Sequence, residues 1–200
     1  MLDDTYFMKQ ALIEAGKAAE RGEVPVGAVV VCKERIIARA HNLTETLNDV
    51  TAHAEMQAIT AAANVLGGKY LNECTLYVTV EPCVMCAGAI AWAQTGKLVF
   101  GAEDEKRGYQ KYAGSALHPK TVVVKGLLAD ECAALMKNFF AAKRYAEIAR
   151  RMGLEGNSEK ALINSLVAKI DEFNALHHQF ALAGDVQGVV SHDRTGHGRG

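Results

Sequence analysis

Residues 75–88 read TLYVTVEPCVMCAG, an apolar run that is followed by a proline and then by two cysteines three positions apart. The composition of Thr75–Val80 predicts a strand. Pro82–Gln94 predicts a helix with proline in its first turn, where a missing N–H costs nothing. On such a helix the side chains of Cys83 and Cys86 project from the same face. The stretch therefore predicts a strand that leads directly into a helix with two thiols at its beginning.

The patterns on either side of this stretch predict an α/β protein. A first helix is expected to begin at Asp3 or Asp4 and to end near residues 21–22. Strands that alternate with helices predict a sheet covered on both faces. The 18 residues from Glu103 to Lys120 are enough for a crossover, so the last two strands can run parallel. The other expected elements are a buried strand in 24–32, hairpinned to a strand in 35–40, a helix in 52–66, strands in 98–102 and 121–126, and a long helix in 130–152.

Length and composition predict a soluble globular protein. The chain has 200 residues, 50% hydrophobic and 22% charged, and a formal net charge of -1. No apolar run approaches the roughly 20 residues of a membrane helix, so no membrane association is expected. The acidic start at Asp3-Asp4 is unlike a signal peptide, and we therefore expect a cytoplasmic protein.

The last fifty residues differ in character from the rest. Gly153 and Gly156-Asn157 interrupt the helical pattern. We expect one domain over residues 1–150 and an extension over 151–200. The extension is predicted to contain one amphipathic helix, at about residues 158–182, followed by a disordered tail.

The segment His53-Ala54-Glu55 complements the two cysteines chemically. One imidazole and two thiolates, from His53, Cys83 and Cys86, provide three ligands for a tetrahedral zinc ion and leave the fourth position open for water. Zinc lowers the pKa of such a water to about 7. Glu55 lies too close to His53 in sequence to be a further ligand easily, but it can reach the water as a proton shuttle.

Each of these pieces has another interpretation when it stands alone. A Cys-x-x-Cys pair also occurs in redox sites, in structural zinc sites and in plain helix packing. A structural zinc site normally has a fourth protein ligand, and no second pair is present for it. Cys32, Cys74 and Cys132 are expected to be packing residues, and His177-His178 to lie on the surface.

Together the pieces form the signature of zinc nucleobase deaminases. Residues 1–148 are similar, in order and spacing, to the bacterial tRNA-specific adenosine deaminase family. The segment 103–120 resembles the family only loosely, and residues beyond about 150 match no known pattern. The motifs that carry the resemblance are EVPVGAVV (23–30), ARAHN (38–42), TAHAE (51–55), the stretch 75–88, VFGA (99–102), LADEC (128–132) and FF (139–140).

The resemblance implies a three-layer α/β/α cytidine-deaminase-like fold with a five-stranded mixed sheet, plus a C-terminal helical extension. It implies one Zn²⁺ per subunit on His53, Cys83 and Cys86, and Glu55 as the residue that moves a proton while hydroxide attacks C6 of adenine. Asn42 would hydrogen-bond the purine and Asp104 would contact the substrate. The product would be inosine at the wobble position of a tRNA anticodon. The resemblance also implies a homodimer with active sites near its interface, and no organic cofactor is expected.

The charge distribution is compatible with an RNA partner. Residues 97–125 carry six basic and three acidic side chains, and residues 137–151 carry five basic and one acidic, whereas residues 1–60 carry six basic and nine acidic. Positive charge is therefore concentrated in the second half of the domain, as binding of a tRNA anticodon arm requires. Two alternatives stay open: a deaminase of free guanine, cytosine or a nucleoside with the same zinc site, and an RNA-binding protein with structural zinc in which Glu55 is dispensable.

Overall fold

The computed structural model describes residues 3–152, so the helix expected at 158–182 and the expected disordered tail lie outside the described residues. The chain divides into two compact units between Lys143 and Arg144. The elements are α1 (Asp4–Glu20), β1 (Gly27–Cys32), β2 (Arg35–His41), α2 (Ala54–Leu66), β3 (Cys74–Val80), α3 (Val84–Trp92), β4 (Lys97–Ala102), α4 (Tyr109–Ala113), β5 (Val122–Lys125) and α5 (Ala129–Arg151).

The five strands form one mixed sheet in the order β2-β1-β3-β4-β5. β1 is antiparallel to both of its neighbours, whereas β3, β4 and β5 are parallel to one another. The expected parallel arrangement of the last two strands is therefore confirmed.

Helices cover both faces of this sheet. Alternate residues of β1 point to opposite sides: Val29 and Val31 pack with α1, and Ala28 and Val30 pack with α2. Cys132 of α5 belongs to the core on the α1 side, and Ile90 of α3 belongs to the core on the α2 side. The expected three-layer α/β/α fold with a five-stranded mixed sheet is therefore confirmed. Among residues 3–152, no helix is both long enough and apolar enough to cross a membrane.

The topology places three chain segments at one edge of the sheet. His41 at the end of β2 pairs with Gly27 at the beginning of β1. Val80 at the end of β3 pairs with Ala102 at the end of β4. Because β1 runs opposite to β3, the carboxyl ends of β2, β3 and β4 all lie at this edge. The residues that follow these three strands are therefore brought together.

The structure corrects the predicted beginning of the helix that follows β3. Pro82 does not occupy the first turn, because α3 begins at Val84 and Cys83 is its N-cap residue, with an extended backbone. The chain remains extended after β3 because it pairs with the segment that follows β4. The N–H of Glu81 donates to the carbonyl oxygen of Ala102, and Cys83 forms an isolated bridge with Gly108. The short helix α4 was also not predicted.

Candidate metal centre

Three potential metal ligands meet at the edge where the parallel strands end. His53 is the N-cap residue of α2, Cys83 is the N-cap residue of α3, and Cys86 lies in the first turn of α3. The Nδ1 atom of His53 is 3.7 Å from Sγ of Cys83 and 3.5 Å from Sγ of Cys86. One ligand atom from each residue lies within 4.8 Å of the other two. The structure thus brings together the three residues that the sequence predicted as a metal site.

The local helix geometry leaves these side chains available for a ligand. N-cap side chains commonly accept a hydrogen bond from the helix, but neither His53 nor Cys83 does so. The beginning of α2 is instead capped by Asn42, whose Oδ1 accepts a hydrogen bond of 3.0 Å from the N–H of Ala54. Both helices direct their N-termini towards the cluster, where partial positive charge stabilises thiolates.

The thiols differ in their readiness to ionise. Hydrogen bonding from Cys86 and, to a smaller extent, from His53 together lower the pKa of Cys83 to about 4 against the opposing effect of burial. The same hydrogen bond with Cys83, together with burial, raises the pKa of Cys86. Cys83 is therefore a thiolate at neutral pH. One imidazole nitrogen and two cysteine sulfurs form a donor set that suits zinc.

Glu55 is a buried carboxylic acid beside this cluster. Its residue is only 3% exposed, and its Oε2 atom has no hydrogen-bond partner among the described residues. Burial raises the pKa of Glu55, and the proximity of His53 only partly opposes this increase. Since buried carboxyl oxygens are normally hydrogen-bonded, the unpartnered Oε2 indicates a position for a water molecule or a substrate atom next to the three ligands.

Asn42 follows β2 at the same edge and is buried. Its Oδ1 uses one lone pair to cap α2, so the Nδ2 donor and the second lone pair of the oxygen are the groups that remain for another partner. The hydrogen bond from Asn42 to a purine that the resemblance implies stays a prediction.

Asp104 follows β4 and is partly buried. Its Oδ1 atom accepts hydrogen bonds of 3.0 Å from the N–H groups of Lys106 and Arg107. The carboxylate therefore shapes the turn in which it lies. This turn approaches the cluster. The hydrogen bond between His53 and Cys83 raises the pKa of His53, and burial and the positive charge of Arg107 partly oppose this increase.

Two buried carboxylates that organise the site were not recognised from the sequence. Glu23 accepts hydrogen bonds from the N–H groups of Glu45 and Thr46 and from the hydroxyls of Thr44 and Thr46, and so holds the loop between Asn42 and His53. Glu81 binds the segment after β4 in a similar way. The available signal was a charged residue inside an apolar, proline-containing run, as in EVPV and TVEP.

The basic side chains of residues 97–125 fall into two groups. Lys97 pairs with Asp4 at 2.6 Å and Lys125 pairs with Glu103 at 3.3 Å. The remaining four are exposed and form no ion pair within residues 3–152: Lys106, Arg107, Lys111 and Lys120.

An α/β/α fold with a His-Cys-Cys cluster and a buried glutamate is typical of metal-dependent hydrolytic deaminases that act on nucleobases. The sequence profile of the family described as MafB19-like deaminase matches residues 2–144. The chain belongs to this deaminase family.

Known proteins define the relationship more closely. The chain is 45% identical over 149 residues to a tRNA-specific adenosine deaminase of Agrobacterium fabrum, an alignment that covers 72% of this chain and 98% of the relative. It is 45% identical over 159 residues to a protein of the same name from Bacillus subtilis, covering 77% of this chain and 99% of the relative. A solved structure from studies of A-to-I editing by tRNA:A34 deaminases is 46% identical and superimposes with a TM-score of 0.62, covering 66% of this chain and 99% of that one. A guanine deaminase from Nitrosomonas europaea is 25% identical with a TM-score of 0.63, covering 70% of this chain and 86% of that one.

Proposed function

We propose that this deaminase hydrolyses adenosine to inosine at the wobble position of a tRNA anticodon. The observation that carries the proposal is the buried Glu55 beside His53, Cys83 and Cys86, whose Oε2 atom has no hydrogen-bond partner in the described part of the chain, in a protein 45% identical to tRNA-specific adenosine deaminases along nearly their whole length. The likeness to a guanine deaminase is weaker in sequence, at 25% identity.

The three clustered side chains are proposed to hold one Zn²⁺ per subunit. A zinc ion held there supplies the Lewis acidity that makes a water molecule nucleophilic near neutral pH. The pKa of about 4 for Cys83 favours this binding, because only the thiolate is a good metal ligand. The helix N-termini at Cys83 and His53 add to the stabilisation of negative charge at the site.

Glu55 is proposed to carry protons during the reaction. Hydrolysis forms a bond from the water oxygen to C6 of adenine and breaks the bond from C6 to the exocyclic amine, so that one proton of the water ends on the purine ring and the other leaves with the amine as ammonia. The Oε2 atom of Glu55, which has no hydrogen-bond partner within residues 3–152, can take each proton in turn from the oxygen and pass the first to the ring and the second to the amine. Burial raises the pKa of Glu55, in the direction that favours a carboxyl able to hold a proton.

Asn42 and Asp104 are proposed to contact the substrate. The Nδ2 group of Asn42 is the donor available to a ring nitrogen of the purine, since its oxygen is held by α2. Asp104 lies on the turn that approaches the metal ligands, next to the exposed Lys106 and Arg107. These two cations are suited to the phosphates on either side of the edited nucleotide.

An exposed aromatic side chain lies on the same segment. Tyr112 is exposed, and its hydroxyl donates a hydrogen bond of 2.8 Å to the carbonyl oxygen of Lys106. The Lys111 ammonium lies 5.4 Å from the centre of its ring. Cations next to an oriented aromatic ring are typical of surfaces that bind single-stranded nucleic acid, such as an anticodon loop.

We also propose that the protein is a cytoplasmic homodimer. Val84, Met85 and Trp92 form an exposed apolar face on α3, and Trp92 is 85% exposed. Residues spaced by seven or eight positions lie on one side of a helix, so this face is continuous. A second copy is a suitable cover for it, and the position of Cys83 and Cys86 on the same helix would place the metal centre near such an interface.

The proposal is tested with an RNA stem-loop that has the sequence of an anticodon arm with adenosine at the wobble position. We expect inosine at that position alone, detected by mass spectrometry of the digested RNA. An identical stem-loop with the adenosine moved one nucleotide away serves as the control. Ammonia release from free guanine or cytosine, without inosine in the stem-loop, would transfer the assignment to a free-base deaminase.

A glutamate variant separates catalysis from purely structural zinc binding. In Glu55→Gln and Glu55→Ala we expect zinc content to be retained and the rate of inosine formation to fall at least about 100-fold, the size of a general acid–base contribution. Glu20→Gln, at the exposed end of α1, is the matched control. Full activity of both Glu55 variants would contradict the role assigned to Glu55.

A further inference from the structure

Glu81 joins both ends of the segment that follows β4 to the segment that carries the metal ligand Cys83. The carboxylate is buried, with the residue only 6% exposed. Its Oε2 atom accepts a hydrogen bond of 3.1 Å from the N–H of Asp104. Its Oε1 atom accepts one of 3.0 Å from the N–H of Gln110. A single side chain thereby closes residues 104–110 into an arch, which we call the 104–110 loop.

Backbone contacts hold the middle of the 104–110 loop in the same place. The N–H of Tyr109 donates to the carbonyl oxygen of Pro82 at 2.9 Å, and Gly108 forms a bridge with Cys83. A Cβ atom at Gly108 would lie 2.3 Å from Cδ of Glu81 and 2.4 Å from both carboxylate oxygens. The backbone of Gly108, with φ of -57° and ψ of 141°, is open to any residue. Glycine is therefore required for space around the carboxylate and not for conformation.

The 104–110 loop presents charged groups beside the metal centre. Asp104 lies in it, and so do the exposed cations Lys106 and Arg107. The backbone N–H groups of Lys106 and Arg107 donate to the carboxylate of Asp104. The backbone N–H of Asp104 in turn donates to the carboxylate of Glu81. The position of the cations relative to Cys83 thus depends on a chain of hydrogen bonds that begins at Glu81.

We propose that Glu81 and Gly108 form a clamp that positions Lys106 and Arg107 for binding the RNA strand that flanks the edited adenosine. The proposal rests on the proposed function. Glu81 is a positioning residue, because its buried carboxylate is fully engaged by the loop backbone and acts on the RNA only through that loop. The clamp contributes to RNA binding and not to proton transfer, so its loss changes KM far more than kcat.

Two substitutions act on opposite sides of the clamp. In Glu81→Gln the amide nitrogen cannot accept from a backbone N–H, so one of the two anchoring bonds is lost. In Gly108→Ala the added methyl group displaces the carboxylate. For each variant we expect KM for the wobble-adenosine stem-loop to rise about tenfold, equivalent to about 1.4 kcal/mol, with kcat changed by less than about threefold.

Three further measurements distinguish positioning from general destabilisation. The amide protons of Asp104 and Gln110 are expected to exchange faster with solvent in Glu81→Gln, while zinc content stays at the wild-type value. The increases in KM of the two single variants are expected not to add in the double variant, because both substitutions act on the same contact between Glu81 and the 104–110 loop. Asp3→Ala, which removes the N-cap bond to Tyr6 at the start of α1, is the control: it lowers thermal stability and leaves KM unchanged.

The Kd for the stem-loop, measured by fluorescence anisotropy, separates the two proposals. A wild-type protein that binds the RNA without making inosine contradicts the proposed function. The clamp is then tested by comparing the Kd of Glu81→Gln and Gly108→Ala with that of wild type. Equal Kd and KM values in wild type, Glu81→Gln and Gly108→Ala overturn the clamp. So does a loss of zinc or of kcat at constant KM, since Glu81 would then serve the metal centre. A wild-type protein with no affinity for the RNA overturns both proposals.

Discussion

Replacement of Glu23 by glutamine tests how the loop between Asn42 and His53 is held. Glu23 is 0% exposed and forms no ion pair with Lys or Arg among residues 3–152. Its carboxylate accepts two backbone N–H groups and two threonine hydroxyls. In Glu23→Gln a threonine hydroxyl can rotate and accept from the new amide, but a backbone N–H cannot. At least one backbone N–H, that of Glu45 or Thr46 on the exposed loop, therefore loses its charged acceptor.

The structure sets the size of the effect. A hydrogen bond to a charged group contributes about 1.5–3 kcal/mol. Burial raises the pKa of Glu23, but the hydrogen bonds outweigh it and lower the pKa from 4.5 to about 2. This shift corresponds to at most about 3 kcal/mol in favour of the folded state at neutral pH, which solvent screening around the loop reduces. We therefore expect Glu23→Gln to lower the free energy of unfolding by about 2 kcal/mol at pH 7.

The effect depends on pH in a defined direction. Because the pKa of Glu23 is depressed in the folded protein, its contribution is complete above about pH 5 and is lost as the pH falls towards 2. The measurement is urea denaturation of wild type and Glu23→Gln at several pH values between 7 and 3. The difference between the two proteins is expected to shrink by about half at pH 3. Comparing two proteins at the same pH cancels the titration of the groups that they share.

Glu20→Gln is the matched control, since this glutamate is exposed and lies three residues away in the same segment. It is expected to change the free energy of unfolding by less than about 0.5 kcal/mol at every pH. Equal stability of Glu23→Gln and Glu20→Gln at pH 7 would contradict the anchoring role of Glu23. A loss of stability in Glu23→Gln that is the same at pH 7 and pH 3 would contradict the role of its negative charge.

Three further predictions concern the metal, the substrate and the oligomeric state. Cys83→Ser is expected to lose zinc, measured by elemental analysis after gel filtration. The control is Cys32→Ser, which changes a partly buried thiol outside the His53–Cys83–Cys86 cluster and is expected to retain zinc. Asn42→Asp keeps an oxygen for capping α2 but replaces the Nδ2 donor. The melting temperature is therefore expected to stay within a few degrees, while kcat/KM for the stem-loop falls at least about tenfold. An unchanged kcat/KM would show that Asn42 does not contact the substrate. Trp92→Glu places a charge on the exposed face of α3 and is expected to convert a dimer into a monomer in sedimentation velocity; identical sedimentation of the two proteins would exclude this face as the interface.

Local sequence patterns were sufficient for most of the fold. The apolar runs predicted all five strands, and the length of the crossover before β5 anticipated its parallel pairing with β4. The boundaries were less predictable where tertiary contacts decide them. Pro82 has the residue type of a first helical turn, but pairing of Cys83 with Gly108 keeps the chain extended, and α3 begins at Val84. The five residues of α4 are too few for a helical period to be seen in the sequence.

The cluster of His53, Cys83 and Cys86 was predictable because its residue types, taken together, are those of a zinc site. Zinc selects imidazole and thiolate, so the spacing of His53, Cys83 and Cys86 carries information without any knowledge of the fold. The roles of Glu23 and Glu81 carry no such local mark. Their hydrogen-bond partners lie 21 to 29 residues away, and these partners are mainly backbone N–H groups, which every sequence contains. Only the topology, which brings the ends of β2, β3 and β4 to one edge, shows that these carboxylates are satisfied.

This use of backbone donors has a consequence for substrate binding. A buried carboxylate needs either a cation or several hydrogen bonds, and Glu23 and Glu81 use hydrogen bonds alone among the described residues. If Lys106 or Arg107 formed an ion pair with Glu81, the positive charge of that side chain would not be available to a substrate. Because the loop backbone satisfies Glu81, both cations remain exposed on the loop next to Cys83. The protein thus anchors the 104–110 loop without using the positive charge that a polyanionic substrate requires.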